Sequence, residues 1–349
     1  MSEKHDIYFR AHTVVIEKSK EPESDKPRPS KKTPKWPQYA LAFDCETRTD
    51  TGQNLTFGFY RILRLDGGMY KLIVEGTFYD DELPADELKV LQSYTANETP
   101  DVVCFPPEFP LMSRSNFVKT VFYKLAKEGV LIVGFHLCFD LARLARRWPE
   151  GDRNEWSLVL SQYPDGNENR HDPRVLIEPI DSKKAFIRFV PEWVPEDGKA
   201  SPTRINDSRF LDLHTELWAL FNKSLRLKSA CELDTFKKYN LPKKIDHTPT
   251  GRVTREEIEY ARQDVRCTAA LLNAVKQEFD LHPVSLCPDK AYSPASMAKA
   301  YLDEMGIKPP SKKFKVPNEI LGIAMESYTG GRSETRIRHA EVPVEFVIS

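Results

Sequence analysis

YALAFDCET, residues 39–47, is the stretch on which the reading of this chain turns. Its apolar and small or acidic residues alternate with period two. Tyr39, Leu41, Phe43 and Cys45 face one way, and Ala40, Ala42, Asp44 and Glu46 the other, which predicts a β-strand. Asp44 and Glu46 therefore project from the same face, behind two alanines. Two neighbouring carboxylates turned inward repel one another and resist desolvation unless a cation lies between them. Hard divalent ions such as Mg²⁺ take oxygen ligands of this kind. By itself an Asp-x-Glu pair reads more simply as two acids at a strand end that face water or cap a turn, because short motifs arise by chance.

Working outward, 55–65 (LTFGFYRILRL) and 70–79 (YKLIVEGTFY) read as strands, and Gly67-Gly68 between them predicts a hairpin laid on the first strand. A helix is expected over 113–128, a short buried strand over 130–134, and a helix over 138–148 with Leu141, Leu144 and Ala145 on one face. Segments WSLVLSQY (156–163), VLIEPI (175–180), KAFIRFV (184–190) and RFLDL (209–213) make the middle β-rich, and helices dominate from about 213 to 328. The alternation predicts one broad α/β unit. Upstream, 7–16 has the pattern of a strand, and 18–37, rich in Pro, Lys and Ser, reads as a linker or a solvated basic tail. The expected organisation is an N-terminal extension over 1–38, a main domain over 39–283 and a small C-terminal segment over 284–349. That last segment holds a Pro-Asp-Lys turn, helices near 294–305 and 317–328, and a strand-like end.

Composition narrows the class. At 349 residues, 40% hydrophobic and 30% charged, the chain can bury a full core without staples. Its six cysteines form no CxxC pair and no zinc-type spacing, which suits a reducing, cytoplasmic setting. No run approaches the ~20 apolar residues of a membrane helix, and MSEKHDIYFR at the start lacks the apolar run of a secretory signal, so no membrane partner is expected. A net charge of −1 excludes a uniformly basic nucleic-acid coat but leaves room for a local basic groove.

Two further acids draw attention. Asp140, in GFHLCFDLARLA, follows a predicted strand and opens a helix, where an Asp also serves as a cap or dipole partner. Around YARQDVRCTAALL (260–272), Thr254 and Glu257 upstream predict a capping box, and Ile258, Ala261, Val265, Thr268, Leu272, Val275 and Phe279 mark the buried face of a helix. Tyr260 and Asp264, four apart, stack one turn from each other beside that face.

Order and context together are more specific than any one motif. An Asp-x-Glu on a first strand, Phe-Asp after a later strand and Tyr-x-x-x-Asp on a late helix resemble the DEDDy class of 3′–5′ exonucleases, in particular the exonuclease domain of family B DNA polymerases and their viral or plasmid-like relatives. FLDLHTELWAL (210–220) and SLRLKSACEL (224–233) are similar to the family's segment between its second and third motifs. The resemblance covers roughly 39–340 and implies a ribonuclease-H-like fold, a mixed central sheet flanked by helices, with Asp44, Glu46, Asp140 and Asp264 holding two Mg²⁺ or Mn²⁺ ions and Tyr260 orienting the attacking water. It implies that Asp44 bridges the ions, that Glu46 and Asp264 complete one site, and that Asp140 supports the other. In the family an Asn and an aromatic of the second motif contact single-stranded DNA. Here those positions are His136 and Phe139, and for His136 a buried, hydrogen-bonded structural role stays open. Arg143, Arg146 and Arg147 either reach phosphates or form a solvated helix face.

Tyr328-Thr329-Gly330-Gly331 resembles the YxGG motif that joins exonuclease and polymerase domains and holds template DNA, and Arg332, Arg336 and Arg338 after it share one strand face. The plainer reading is a helix C-cap followed by an edge strand. No polymerase Asp-Thr-Asp motif precedes the end at EFVIS (345–349), so the chain reads as the front of a longer polymerase or as a free-standing nuclease. The expected function is metal-dependent 3′–5′ hydrolysis of single-stranded or frayed DNA ends, as the proofreading-type part of such a polymerase. The alternatives are a catalytically silent module that binds single-stranded DNA or a partner, and an RNA exonuclease.

Overall fold

The alternation of YALAFDCET places strand β1 (Tyr39–Thr47) in the middle of a six-stranded sheet, between β2 (Leu55–Asp66) and β5 (Leu131–Gly134). The computed structural model describes residues 36–102, 109–149, 155–181, 184–190, 209–307 and 317–327. The strand expected over 7–16 and most of the proposed linker lie outside them.

β2 turns into β3 (Met69–Tyr79) through Gly67 and Gly68, both at positive φ, and Asp66 pairs directly with Met69. Two glycines at positive φ match the tight hairpin that the right-handed strand twist favours. β4 (Leu111–Ser113) and β9 (Arg209–Asp212) close the edges, giving the order β4-β3-β2-β1-β5-β9. β2 runs antiparallel to β1 and β3, whereas β1, β5 and β9 are mutually parallel. A separate three-stranded antiparallel sheet comprises β6 (Trp156–Leu158), β7 (Val175–Pro179) and β8 (Ala185–Phe189).

Each face of the central sheet carries its own core. Leu41, Phe43 and Cys45 pack with Phe117, Phe122, Leu137 and Leu141, and with Val175 and Ile177 of the second sheet. Ala40 and Ala42 pack with helices α5 (Leu213–Phe221), α6 (Leu227–Cys231) and α7 (Arg255–Asp280), through Leu213, Leu217, Ala230, Leu271 and Val275. The first part of α7 meets β2 and helix α1 (Ala85–Asn97) through Phe57, Phe59, Ile258, Ala261 and Val265. These are the α/β class, the mixed sheet and the flanking helices that the sequence predicts.

Three local features differ from expectation. The helix expected over 113–128 is α2 (Arg114–Phe117), a π-helical turn (Val118–Phe122) and α3 (Tyr123–Lys127). The π turn lies in a run where Phe117, Val118, Val121, Phe122 and Tyr123 are all buried. Helix α4 (Leu137–Leu144) stops short of 148, because Ala145 is extended and Arg146 N–H bonds Val159 C=O at 2.8 Å. At the start of α7, Thr254 Oγ1 accepts from Glu257 N–H at 3.3 Å, but the Glu257 carboxylate reaches Thr250 Oγ1 at 2.6 Å, so the expected reciprocal capping box is only half made.

After α7, a short 3-10 turn (Pro288–Lys290) and α8 (Pro294–Glu304) complete this unit, which spans Lys31–Met305. Phe279, Val284, Ala291, Met297 and Ala300 cluster with Ala219 of α5. Helix α9 (Asn318–Ser327) belongs to a second unit. Among the described residues no helix is long and apolar enough to cross a membrane.

Candidate active site

The three parallel strands end on one side of the sheet, and open α/β sheets offer ligand crevices beyond the carboxyl ends of their strands. A cavity of about 480 Å³ lies there. Asp44 and Glu46 reach it from the end of β1, Asp140 from α4 after β5, and Tyr260 and Asp264 from α7. The parity of β1 accounts for the meeting. Asp44 and Glu46 share the face of Ala40 and Ala42, which is the face that α7 covers. All five residues singled out as catalytic thus line one cavity, although 220 positions separate Asp44 from Asp264.

Close packing fixes the acids. Gly58 pairs with Cys45 across the β1–β2 ladder, and a Cβ at Gly58 would stand 2.5 Å from the Asp44 carbonyl oxygen. Only glycine permits that approach. Asp140 is buried, and its Oδ1 accepts from Cys45 N–H at 3.0 Å, which ties α4 to the residue between the two strand acids. Asp212, at the end of β9, accepts from His136 N–H and from Thr215 Oγ1, each at 2.8 Å. It holds the turn that starts α4.

The ionisation of this group is coupled through burial and like charge. Burial first, and then the facing Asp264, push the Asp44 carboxyl up to about 7. Burial and Asp44 raise Glu46 well above the usual range, and burial and Asp44 do the same to Asp140, against the Cys45 amide. Asp264 is raised by burial and restrained by Lys244.

Lys244 is the residue that sequence reasoning missed. Its ammonium donates to Asp264 Oδ2 and to Tyr260 Oη, the latter at 2.9 Å. Its charge also lowers the pKa of Asp44 and Glu46. Burial opposes its own ionisation, but Asp264 and Tyr260 outweigh it and raise its pKa. The Lys-Lys-Ile in LPKKIDHTP (241–249) was the available signal, a basic pair in the connection leading to α7. Tyr260 keeps its proton at neutral pH, since burial lifts its pKa despite Lys244, and its oxygen already accepts from lysine, leaving the O–H to donate.

The donor set fits a hard divalent cation in kind. It consists of carboxylate oxygens, and Asp264 Oδ1 is buried without a hydrogen-bond partner. As placed, no group of three or more His, Cys, Asp or Glu side chains among the described residues is arranged to hold a metal ion. The Lys244 ammonium faces the acids instead.

His136 and Phe139 also line the cavity. His136 is exposed, not buried, which overturns the reading of it as a buried core histidine. Its backbone is left-handed (φ 66°, ψ 46°), a conformation in which His, like Asn, is several-fold enriched, and its ring stacks 4.3 Å from His214. Phe139 is 37% exposed, with the Arg143 guanidinium 4.7 Å from its ring centre. Arg143 also donates to Gln53 C=O, and Arg146 pairs with Asp81 at 2.5 Å, so these two arginines are engaged within the protein. Tyr328, Gly330, Gly331, Arg332, Arg336 and Arg338 lie outside the described residues. No protein-family model matches the chain, and no curated protein matches its sequence.

Proposed function

We propose that this protein is a metal-dependent 3′–5′ exonuclease of the DEDDy class, acting on DNA as the proofreading-type part of a family B-like polymerase. The observation that carries the reading is the convergence of Asp44, Glu46, Asp140, Tyr260 and Asp264 on one cavity at the carboxyl ends of parallel strands. The mixed sheet, with β2 antiparallel beside the parallel β1, β5 and β9, supports a ribonuclease-H-like fold. Phe139 in the same cavity, beside Asp140, favours an unpaired 3′ end as substrate.

Asp44, Glu46, Asp140 and Asp264 would hold Mg²⁺ or Mn²⁺, and bound ions of this type supply charge stabilisation at the attacking and leaving oxygens of a phosphodiester. The chain's own groups do the rest. The Tyr260 hydroxyl, whose oxygen is fixed by Lys244, orients the attacking water through a hydrogen bond and keeps its own proton. Lys244 restrains the rise in the Asp264 pKa and so keeps that carboxylate available as a donor. The Cys45 amide does the same for Asp140. Phe139 takes a base face, which aligns the terminal phosphodiester with the acids.

The test is degradation of a 5′-labelled single-stranded oligodeoxynucleotide with Mg²⁺ or Mn²⁺. The expected result is a ladder shortened from the 3′ end, abolished by Asp44→Ala and reduced about 10²-fold in kcat by Tyr260→Phe. Wild-type rates in Asp44→Ala protein would refute the reading. A second reading, a catalytically silent DNA-binding module, is favoured by the ammonium of Lys244 against Asp264. Metal titration separates the two, since a silent module binds DNA without metal-dependent cleavage.

A further inference from the structure

The register of the three-stranded sheet carries an observation that the carboxylates do not explain. Trp156 pairs with Ile177, and Pro179 with Ala185. Directly paired residues share a face, and alternate residues along β7 do too, so these four side chains project the same way. That face is the inward one, because Ile177 and Ala185 are buried in the cluster that contains Leu41 and Phe43 of β1. A large aromatic at such a position belongs in the core. Trp156 is instead 57% exposed. The exposure has a definite location, since Trp156, Ile177, Pro179 and Ala185 all line the cavity that holds the acids.

An uncovered indole therefore stands in the wall of the candidate active site. Phe139 brings a second aromatic to the same cavity from α4. The elements bearing the two rings are tied together, because Arg146 N–H donates to Val159 C=O at 2.8 Å and Val159 N–H to Arg147 C=O at 3.0 Å, joining the chain after α4 to the end of β6. Two exposed aromatic surfaces with a fixed relation, next to carboxylates suited to phosphodiester chemistry, are complementary to bases that have left a duplex. Every base offers a π face, so such recognition tolerates sequence, and a paired base inside a helix has that face already occupied.

We infer that Trp156 is a second base-stacking residue, which takes an unpaired base of the DNA strand whose 3′ end enters the acid cavity. This rests on the exonuclease reading proposed above. Trp156 touches substrate away from the reacting phosphate, so its contribution is to binding and to selection of unpaired ends.

The experiment is equilibrium binding in EDTA, where no cleavage intervenes, using a ten-residue oligodeoxythymidylate and the same oligomer with its three 3′-terminal bases removed. Binding is read by anisotropy of a 5′ dye and by tryptophan emission. Wild-type protein should show quenched emission on binding, and the quench should shrink in Trp156→Phe, which keeps a smaller stacking face. Trp156→Leu should weaken binding about tenfold or more, and removal of the 3′ bases should weaken wild type similarly while adding little to Trp156→Leu. Wild-type affinity in Trp156→Leu, or an unchanged quench in Trp156→Phe, overturns the stacking role and leaves the exonuclease reading intact. Absence of any binding by the wild-type protein overturns both.

Discussion

Lys244 Nζ lies 2.9 Å from Tyr260 Oη and at the same time donates to Asp264, one helical turn further along α7. One ammonium thus organises the two groups that α7 brings to the cavity. Lys244→Met should free the Tyr260 ring and let burial raise the Asp264 pKa further. The expected outcome is a fall in kcat of about 10²-fold, with the acidic limb of the pH–rate profile moved upward, and partial recovery in Lys244→Arg. An unmoved acidic limb would show that lysine does not set the ionisation of Asp264.

Asp44 links the site to stability. Its carboxyl, ordinarily near 3.8, is pushed up to about 7 in the folded protein, so folding favours its protonated form. Below pH ~4 both folded and unfolded chains carry the proton and the group has no effect. Between pH ~4 and ~7 the unfolded chain ionises first, and the folded state is progressively penalised; above pH ~7 the penalty is complete. Asp44→Asn should therefore raise Tm at pH 8, by roughly 2–8 °C, and hardly at all at pH 4.5. Thermal melts of both proteins at the two values, in EDTA, check the sign, and added Mg²⁺ should narrow the gap at pH 8 by stabilising the wild type.

Gly58 has no room for a side chain, because its Cβ would meet the Asp44 carbonyl oxygen and the Phe78 ring. Gly58→Ala should cost about 1–3 kcal/mol as overpacking. It should also reduce nuclease activity beyond the loss of folded protein, since β1 must shift at the residue that bears the first acid. Urea titration together with kcat corrected for the folded fraction separates the two effects.

Arg262, between Tyr260 and Asp264 in sequence but turned away from the cavity, makes two bonds to the buried Glu75, at 3.1 and 2.7 Å. Burial alone would raise the Glu75 pKa, yet Arg262 and Arg61 hold it below its ordinary value. Arg262→Ala takes one of the two arginines from a buried carboxylate, leaving Arg61 and the Asp101 amide as its partners, and should cost about 3 kcal/mol, whereas Arg262→Met combined with Glu75→Leu should cost less. The neighbouring Asp101, held at about 2 by Arg266 and Arg61 against burial, stabilises the fold above pH ~4 and loses that contribution as pH falls toward 2. Denaturant midpoints between pH 2 and 5 should decline less steeply in Asp101→Asn.

Phe139→Ala should slow degradation of both blunt and tailed DNA, and wild-type protein should cut tailed 3′ ends faster. Melting a terminal pair costs a few kcal/mol, and stacking returns about 1–3 kcal/mol per base. Matched 3′-labelled oligonucleotides give the comparison, and equal rates on both ends would contradict a cleft built for a frayed strand.

Most of this geometry was legible where a period repeats. The parity of β1 places Asp44 and Glu46 on the face of α7, the Gly67-Gly68 pair makes the hairpin, and the seven residues expected on the buried face of α7 are all buried. What stayed hidden depends on tertiary path. Lys244 belongs to a connection with no repeat, and only the course of that connection brings it to Tyr260. Glu75 and Arg262 are 187 positions apart and carry no mutual signature. The exposure of Trp156 was not legible either, because its own strand of three residues is too short to show a pattern.

The position of β1 inside the sheet has a consequence for how the protein fails. β1 is hydrogen-bonded along both edges, by β2 over its whole length and by β5 at Ala40–Ala42. Amides in such a strand exchange with solvent only through the rarest openings, while irregular connections open often. Asp44 and Glu46 should therefore travel with the last part of the molecule to let go, and Lys244, on a connection outside any helix or strand, with an earlier one. On gentle warming the cavity should lose its lysine and keep its acids, so inactivation precedes unfolding and reverses on cooling without a refolding step.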